Sequence, residues 1–83
     1  MKKFESSSEA LDWMMEHPLK KVYDQYGNYL VYVEDSNTVE NFWFTGDWED
    51  EDGNFEPDYW DMNKYAPEEF IEAFEDVPLE SQD

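Results

Sequence analysis

The side chains in this sequence that could do chemistry are overwhelmingly carboxylates. Between Asp47 and Asp61 stand eight of them and no base, with Trp48, Phe55, Pro57, Tyr59 and Trp60 set among them. Paired carboxylates can serve as general acid and base, but only in a cleft where burial raises one pKa. A chain of 83 residues leaves little room for such a cleft. Asp50, Asp52, Asn54 and Glu56 alternate as oxygen ligands do at the start of a calcium loop. The match fails in detail: Gly53 precedes Asn54 where the EF-hand pattern has it following, no bidentate Glu stands at the right distance, and no helix leads in. A calcium-binding module is the less favoured reading. His17 is the only imidazole and there is no Cys, so a nucleophile lacks its activating partner. The sequence reads as a non-enzyme, with no catalytic residues, no metal ligands and no cofactor.

What remains for the acids is recognition. The chain carries 23 acids against five lysines, has no Arg, and bears a net charge of −18. Residues 1–46 hold eight acids and four lysines; residues 47–83 hold fifteen acids and Lys64 alone. Such a field repels nucleic acid and anionic membranes and draws in basic protein surfaces. Runs of like charge are usually disordered tails, poor in aromatics because they have nothing to bury. This one is interleaved with anchors, and the chain has sixteen aromatic residues in all, each able to bury about 150–250 Å². The carboxylates are therefore expected on a folded surface. Solubility alone asks for a net charge of about 2–8 in a small domain. Eighteen carries a penalty in self-repulsion that a marginally stable chain has little margin for. The absence of Cys points to a reducing cytoplasm, and no signal peptide or membrane span is evident.

The elements that must position these groups follow in order. Ser6 to Glu9 reads as a capping box opening an amphipathic helix over about Ser7 to Glu16, with Ala10, Leu11, Trp13, Met14 and Met15 inward. His17 sits at its C-terminal end and Pro18 stops it. Lys20–Asp24 and Tyr29–Glu34 read as strands joined by a turn over 25–28. After a second turn at 35–37 comes a strand over about Thr38 to Trp48, then a turn at 52–54. Phe55–Trp60 returns, with Pro57 placing it on a sheet edge. Residues 61–66 read as a connection. Pro67 opens a second helix to Asp76, with Phe70, Ile71, Phe74 and Val77 on one stripe. Residues 1–5 read as a frayed or edge segment and 79–83 as a polar tail; no internal repeat is evident. Tyr29 to Val33, apolar at odd and even positions, implies a sheet covered on both sides. The expected fold is a small single α+β domain over 1–83, with an N-terminal helix, a three- to four-stranded antiparallel meander and a C-terminal helix.

Small, Cys-free, strongly acidic chains with aromatic cores resemble phage-encoded DNA mimics. That class includes inhibitors of the histone-like protein HU, of restriction enzymes, of uracil-DNA glycosylase and of CRISPR effectors. The resemblance lies in composition and layout. It implies a host-takeover inhibitor in the host cytoplasm that occupies the basic DNA-binding surface of a host protein, with HU the favoured target and RNA polymerase or a CRISPR effector close behind. Carboxylates on a strand face repeat every ~6.5–7 Å, and on a helix at i, i+4 every ~5–6 Å. Those intervals are comparable with phosphate spacing along a nucleic-acid strand. The partner-binding residues expected on this basis are Asp47, Glu49, Asp50, Glu51, Asp52, Glu56, Asp58 and Asp61 of the hairpin. Glu68, Glu69, Glu72, Glu75 and Asp76 of the second helix join them, and Trp48 and Trp60 supply apolar anchors. The alternative is a small acidic interaction module whose charge only keeps it soluble, with the exposed aromatics as its interface or a homodimer contact.

Overall fold

Ser6 starts the first helix as its residue type favours. Its backbone is extended and its Oγ accepts the Glu9 N–H at 3.1 Å. The Glu9 carboxylate reaches past the cap to the Glu5 N–H at 3.2 Å. The helix, α1, covers Ser7–Glu16, and His17 caps its far end. The computed structural model describes residues 2–82, apart from the side chains of residues 61 and 62.

Six antiparallel strands form one sheet. They are β1 (Lys3–Phe4), β2 (Val22–Tyr23), β3 (Tyr29–Val33), β4 (Thr38–Glu49), β5 (Phe55–Tyr65) and β6 (Leu79–Ser81), in the order β1-β6-β2-β3-β4-β5. A second helix, α2 (Pro67–Ala73), lies between β5 and β6. The expected meander is present as β2 to β5. The expected polar tail is instead β6, inserted between the first strand and β2. Its Leu79 and Ser81 alternate inward and are buried while Glu80 is not; three residues are too few for that period of two to be read in advance. The Ser81 N–H donates to the Lys2 carbonyl at 2.8 Å, and the Lys2 N–H to Ser81 Oγ at 3.1 Å. Both chain ends are thereby drawn into one sheet.

Two further expectations change. Residues 61–65 continue β5 rather than form a connection, because β4 carries on pairing with them through Val39↔Tyr65 across a bulge near Asn41. The second helix stops at Ala73, short of Asp76, with Phe74 as its C-cap. Glu75 and Asp76 would place negative charge at the negative end of the helix dipole, and no basic residue stands in the last turn.

Register divides the sheet into two faces. Both helices cover one of them: Phe4, Val22, Leu30, Tyr32, Val39 and Leu79 meet Ala10, Leu11, Met14 and Phe70 in a single cluster, ringed by Trp13, Tyr65, Ile71, Phe74 and Val77. Each fully buried large side chain contributes about 1.5–3 kcal/mol. Met15, expected inward, is exposed. Ser7 is buried and donates to the Ile71 carbonyl at 2.7 Å, which pins the two helices to one another. Among the described residues no helix or strand lies over the other face, so the two-sided cover implied by Tyr29–Val33 is not built from elements. That face is closed by its own rings, described below. No helix of the described residues is long and apolar enough to cross a membrane.

Because β6 closes the gap between β1 and β2, Leu79→Ala should lower the unfolding free energy by about 2–4 kcal/mol in urea titrations. A chain lacking residues 79–83 should show no cooperative transition. A merely polar tail would make both changes neutral.

Candidate protein-binding surface

The β2–β3 and β4–β5 hairpins are closed by the same five-residue device. Asp24-Gln25-Tyr26-Gly27-Asn28 and Asp50-Glu51-Asp52-Gly53-Asn54 share the pattern Asp-x-x-Gly-Asn. In each the aspartate Oδ1 accepts two backbone N–H groups: from Tyr26 and Asn28 at 2.8 and 3.0 Å, and from Asp52 and Asn54 at 2.9 Å each. In each the glycine has positive φ, +86° and +82°, where a side chain would strain the turn. The aspartate N–H also donates to the asparagine carbonyl, at 3.0 Å in the first and 2.9 Å in the second. This is a small internal repeat, too short to emerge from a search for long periods. It also gives Asp50 a structural role, because its Oδ1 is held by two backbone amides. Among the described residues no three His, Cys, Asp or Glu side chains are gathered for a metal.

The β4–β5 hairpin projects beyond its neighbours. The last residue of β4 paired with β3 is Phe42, opposite Tyr29. Just beyond it the Phe44 N–H donates to Asn28 Oδ1 at 2.9 Å, which ties the first turn to the root of the projection. From there on β4 has only β5 beside it, and the molecule reaches 42 Å in its longest dimension. Cross-strand partners share a face. Trp43↔Trp60, Gly46↔Asp58 and Trp48↔Glu56 lie on the helix side of the sheet, while Phe44↔Tyr59, Asp47↔Pro57 and Glu49↔Phe55 lie on the open side. Thr45 Oγ1 bonds both the carbonyl and the carboxylate of Asp58, each at 3.1 Å.

The expected binding residues therefore fall into separate groups. Glu56 and Asp58 accompany Trp48 and Trp60 on one face; Asp47 and Glu49 stand on the opposite one. Glu51 and Asp52 are exposed at the tip and Asp50 is half-buried beneath them. The Asp61 side chain lies outside the described residues. Glu68, Glu69 and Glu72 are exposed on α2, and Glu69 Oε1 is engaged by the Ala66 N–H at 2.9 Å. Glu75 and Asp76 are exposed but sit in the turn after the helix. Only two ion pairs form among the described residues, Lys2–Glu9 at 3.8 Å and Lys64–Glu40 at 3.2 Å. Neither uses an expected site residue whose side chain is described, so those carboxylates keep no lysine of their own.

Two aromatic arrangements go beyond what the sequence led us to expect. Trp43 joins Trp48 and Trp60 on the helix side, and all three are about half exposed or more. On the open face Tyr29 stacks on Phe42 at 4.8 Å and meets Tyr59 edge-on at 4.7 Å, with Tyr23 and Phe44 extending the row. Lys21 Nζ sits 4.7 Å above the Tyr29 ring. Alternation alone could have marked these positions as one face, but not that no helix covers them. His17 belongs to neither arrangement. Its Nδ1 lies 2.9 Å from the Trp13 carbonyl oxygen and its ring stacks on Trp13 at 4.3 Å, as suits a helix end.

Burial, and after it the neighbouring Tyr59, hold the Tyr23 hydroxyl above its ordinary pKa. As pH rises past about 10 the unfolded chain loses this proton first. Stability should be intact below that pH and fall as pH climbs through the folded-state value; Tyr23→Phe should remove this part of the alkaline loss in urea midpoints. At the hairpin tip, Asp50→Ala should cost about 1–3 kcal/mol. Asp52→Ala should stay within about 0.5 kcal/mol. Millimolar calcium should raise the melting temperature no more than sodium at equal ionic strength.

No protein-family model, curated protein or solved structure matches the chain.

Proposed function

We propose that this protein is a DNA mimic, of the phage host-takeover kind, that occupies the basic DNA-binding surface of a host protein and blocks its DNA binding. The nucleoid protein HU is the favoured target. The observation that carries the reading is the state of the acids at positions 47–58 and on α2: all but the half-buried Asp50 are exposed, none forms an ion pair, and they are mounted on a paired hairpin and a helix rather than strung along a coil. Glu56 and Asp58 stand two apart on one strand, about 6.5–7 Å from each other. Glu68 and Glu72 stand four apart on α2, about 5–6 Å. Lysines and arginines that normally hold phosphates would meet carboxylates at similar intervals. Competition of this kind needs no catalysis and no cofactor.

The exposed tryptophans favour a second reading, a small interaction module whose charge only keeps it dissolved. Salt separates the two. A mimic loses affinity steeply, by orders of magnitude between about 50 and 200 mM salt, as counterion-releasing contacts do. An interface built on tryptophan alone changes little.

The test is displacement of duplex DNA from purified HU. Charge reversal of Glu68, Glu69 and Glu72 to Lys should weaken displacement by at least about tenfold, equivalent to about 1.4 kcal/mol. Displacement by the reversed variant as strong as by the parent would remove α2 from the mimic surface.

A further inference from the structure

The helix-side face of the projecting hairpin is an unusual place for three tryptophans. Trp43, Trp48 and Trp60 are 48%, 48% and 64% exposed. Tryptophan is on average among the more buried residues, and a stability-minded chain of this size has reason to fold such rings inward. The aromatic row on the open face does so by packing ring on ring. Among the described residues the three tryptophans contact no other ring. Register puts Trp43 directly across from Trp60, and Trp48 across from Glu56, with Asp58 between on the same face. Alternate ring faces and carboxylates along one strand pair are the two features a guanidinium or ammonium group seeks together: a π-face for the cation and an acceptor for its N–H groups.

We propose that this face, built from Trp43, Trp48, Trp60, Glu56 and Asp58, is the docking surface for an arginine- and lysine-rich segment of a protein partner. The inference rests on the mimic reading in requiring a basic partner, and goes further by assigning the contact to the tryptophan face rather than to charge at large. Other occupants fit less well. A second copy would set Glu56 and Asp58 against their own equivalents in a two-fold contact, on chains that each carry −18. Single-stranded nucleic acid would stack on the rings, but it needs cations to track its backbone; Lys64, the one lysine on this hairpin, pairs with Glu40 on the opposite face. A basic segment satisfies both the rings and the acids.

The experiment titrates the full chain with an oligoarginine peptide, and with oligolysine of equal length, following the indole N–H signals by NMR. Three proteins are compared: the parent, Trp43→Leu/Trp60→Leu, whose charge is unchanged, and Glu68→Gln/Glu72→Gln, which thins the other acidic face. Of the four indole signals, oligoarginine should shift those of Trp43, Trp48 and Trp60, and it should bind more tightly than oligolysine. The double tryptophan variant should bind about tenfold more weakly, and the glutamine variant only about two- to threefold. Equal binding by the tryptophan variant and the parent would overturn the inference and leave the charge-based mimic standing. No binding of either peptide to the parent would sink both. Loss of peptide binding in the tryptophan variant, with a parent that displaces no DNA from HU, would uphold the docking face and refute HU as the target of the mimic. Should the tryptophan variant fail to fold by circular dichroism, acrylamide quenching of the parent decides: oligoarginine must shield the tryptophans, and unshielded rings reject the proposal.

Discussion

Eighteen unbalanced negative charges push outward on this fold, and one apolar layer between a sheet and two helices opposes them. Almost every other feature answers to that contest. The layer is short of material, so it recruits both ends of the chain: Phe4 from the first strand and Leu79 from the last. It also uses polar groups where they can be fully satisfied. Ser7 joins the helices and Ser81 joins the terminal strands, and no buried side-chain polar atom among the described residues lacks a partner. With stability a small difference between large terms, one unsatisfied group in such a core would weigh as much as several surface contacts.

The same constraint explains where the acids stand. None of the aspartates or glutamates described is fully buried, since an unpaired carboxylate in the core would be prohibitive. Those with a structural role fill it by accepting backbone N–H groups, as Asp24, Asp50 and Glu69 do. A carboxylate held that way is fixed in place without a lysine, and among the described residues no other acid at positions 47–58 or on α2 forms an ion pair. The projecting hairpin carries this furthest, with carboxylates on both faces and tryptophans on only one. A decoy for a basic cleft and a platform for cationic side chains make the same demand of a scaffold, that negative groups be held still at the surface.

Much of the local structure is legible in the chain. The cap at Ser6, the bounds of α1, the three turns and the core stripe of the second helix follow from residue types acting over a few positions. So does the segregation of acids to one side of each helix. Less legible is the shared Asp-x-x-Gly-Asn turn, whose two copies are obvious once both aspartates are seen accepting the same pair of amides. The apolar stripe through Val77 suggests a second helix three residues longer than the one that forms, because the stripe continues as a turn after the hydrogen-bonded helix has ended.

By itself the sequence determined where both helices begin and where the hairpins turn, and that the acids would stand outside the core, because capping, turn chemistry and charge burial act locally. Only the tertiary structure decided that residues 79–81 are a strand between β1 and β2, since three residues acquire that identity from the neighbours they pair with. It alone decided which aromatic residues are covered. Alternation tells which rings share a face; whether a helix lies over that face depends on where both helices pack, and here they pack on the same side. The tryptophans of the hairpin are left in water because β4 and β5 run on beyond the part of the sheet whose inner face packs on the helices.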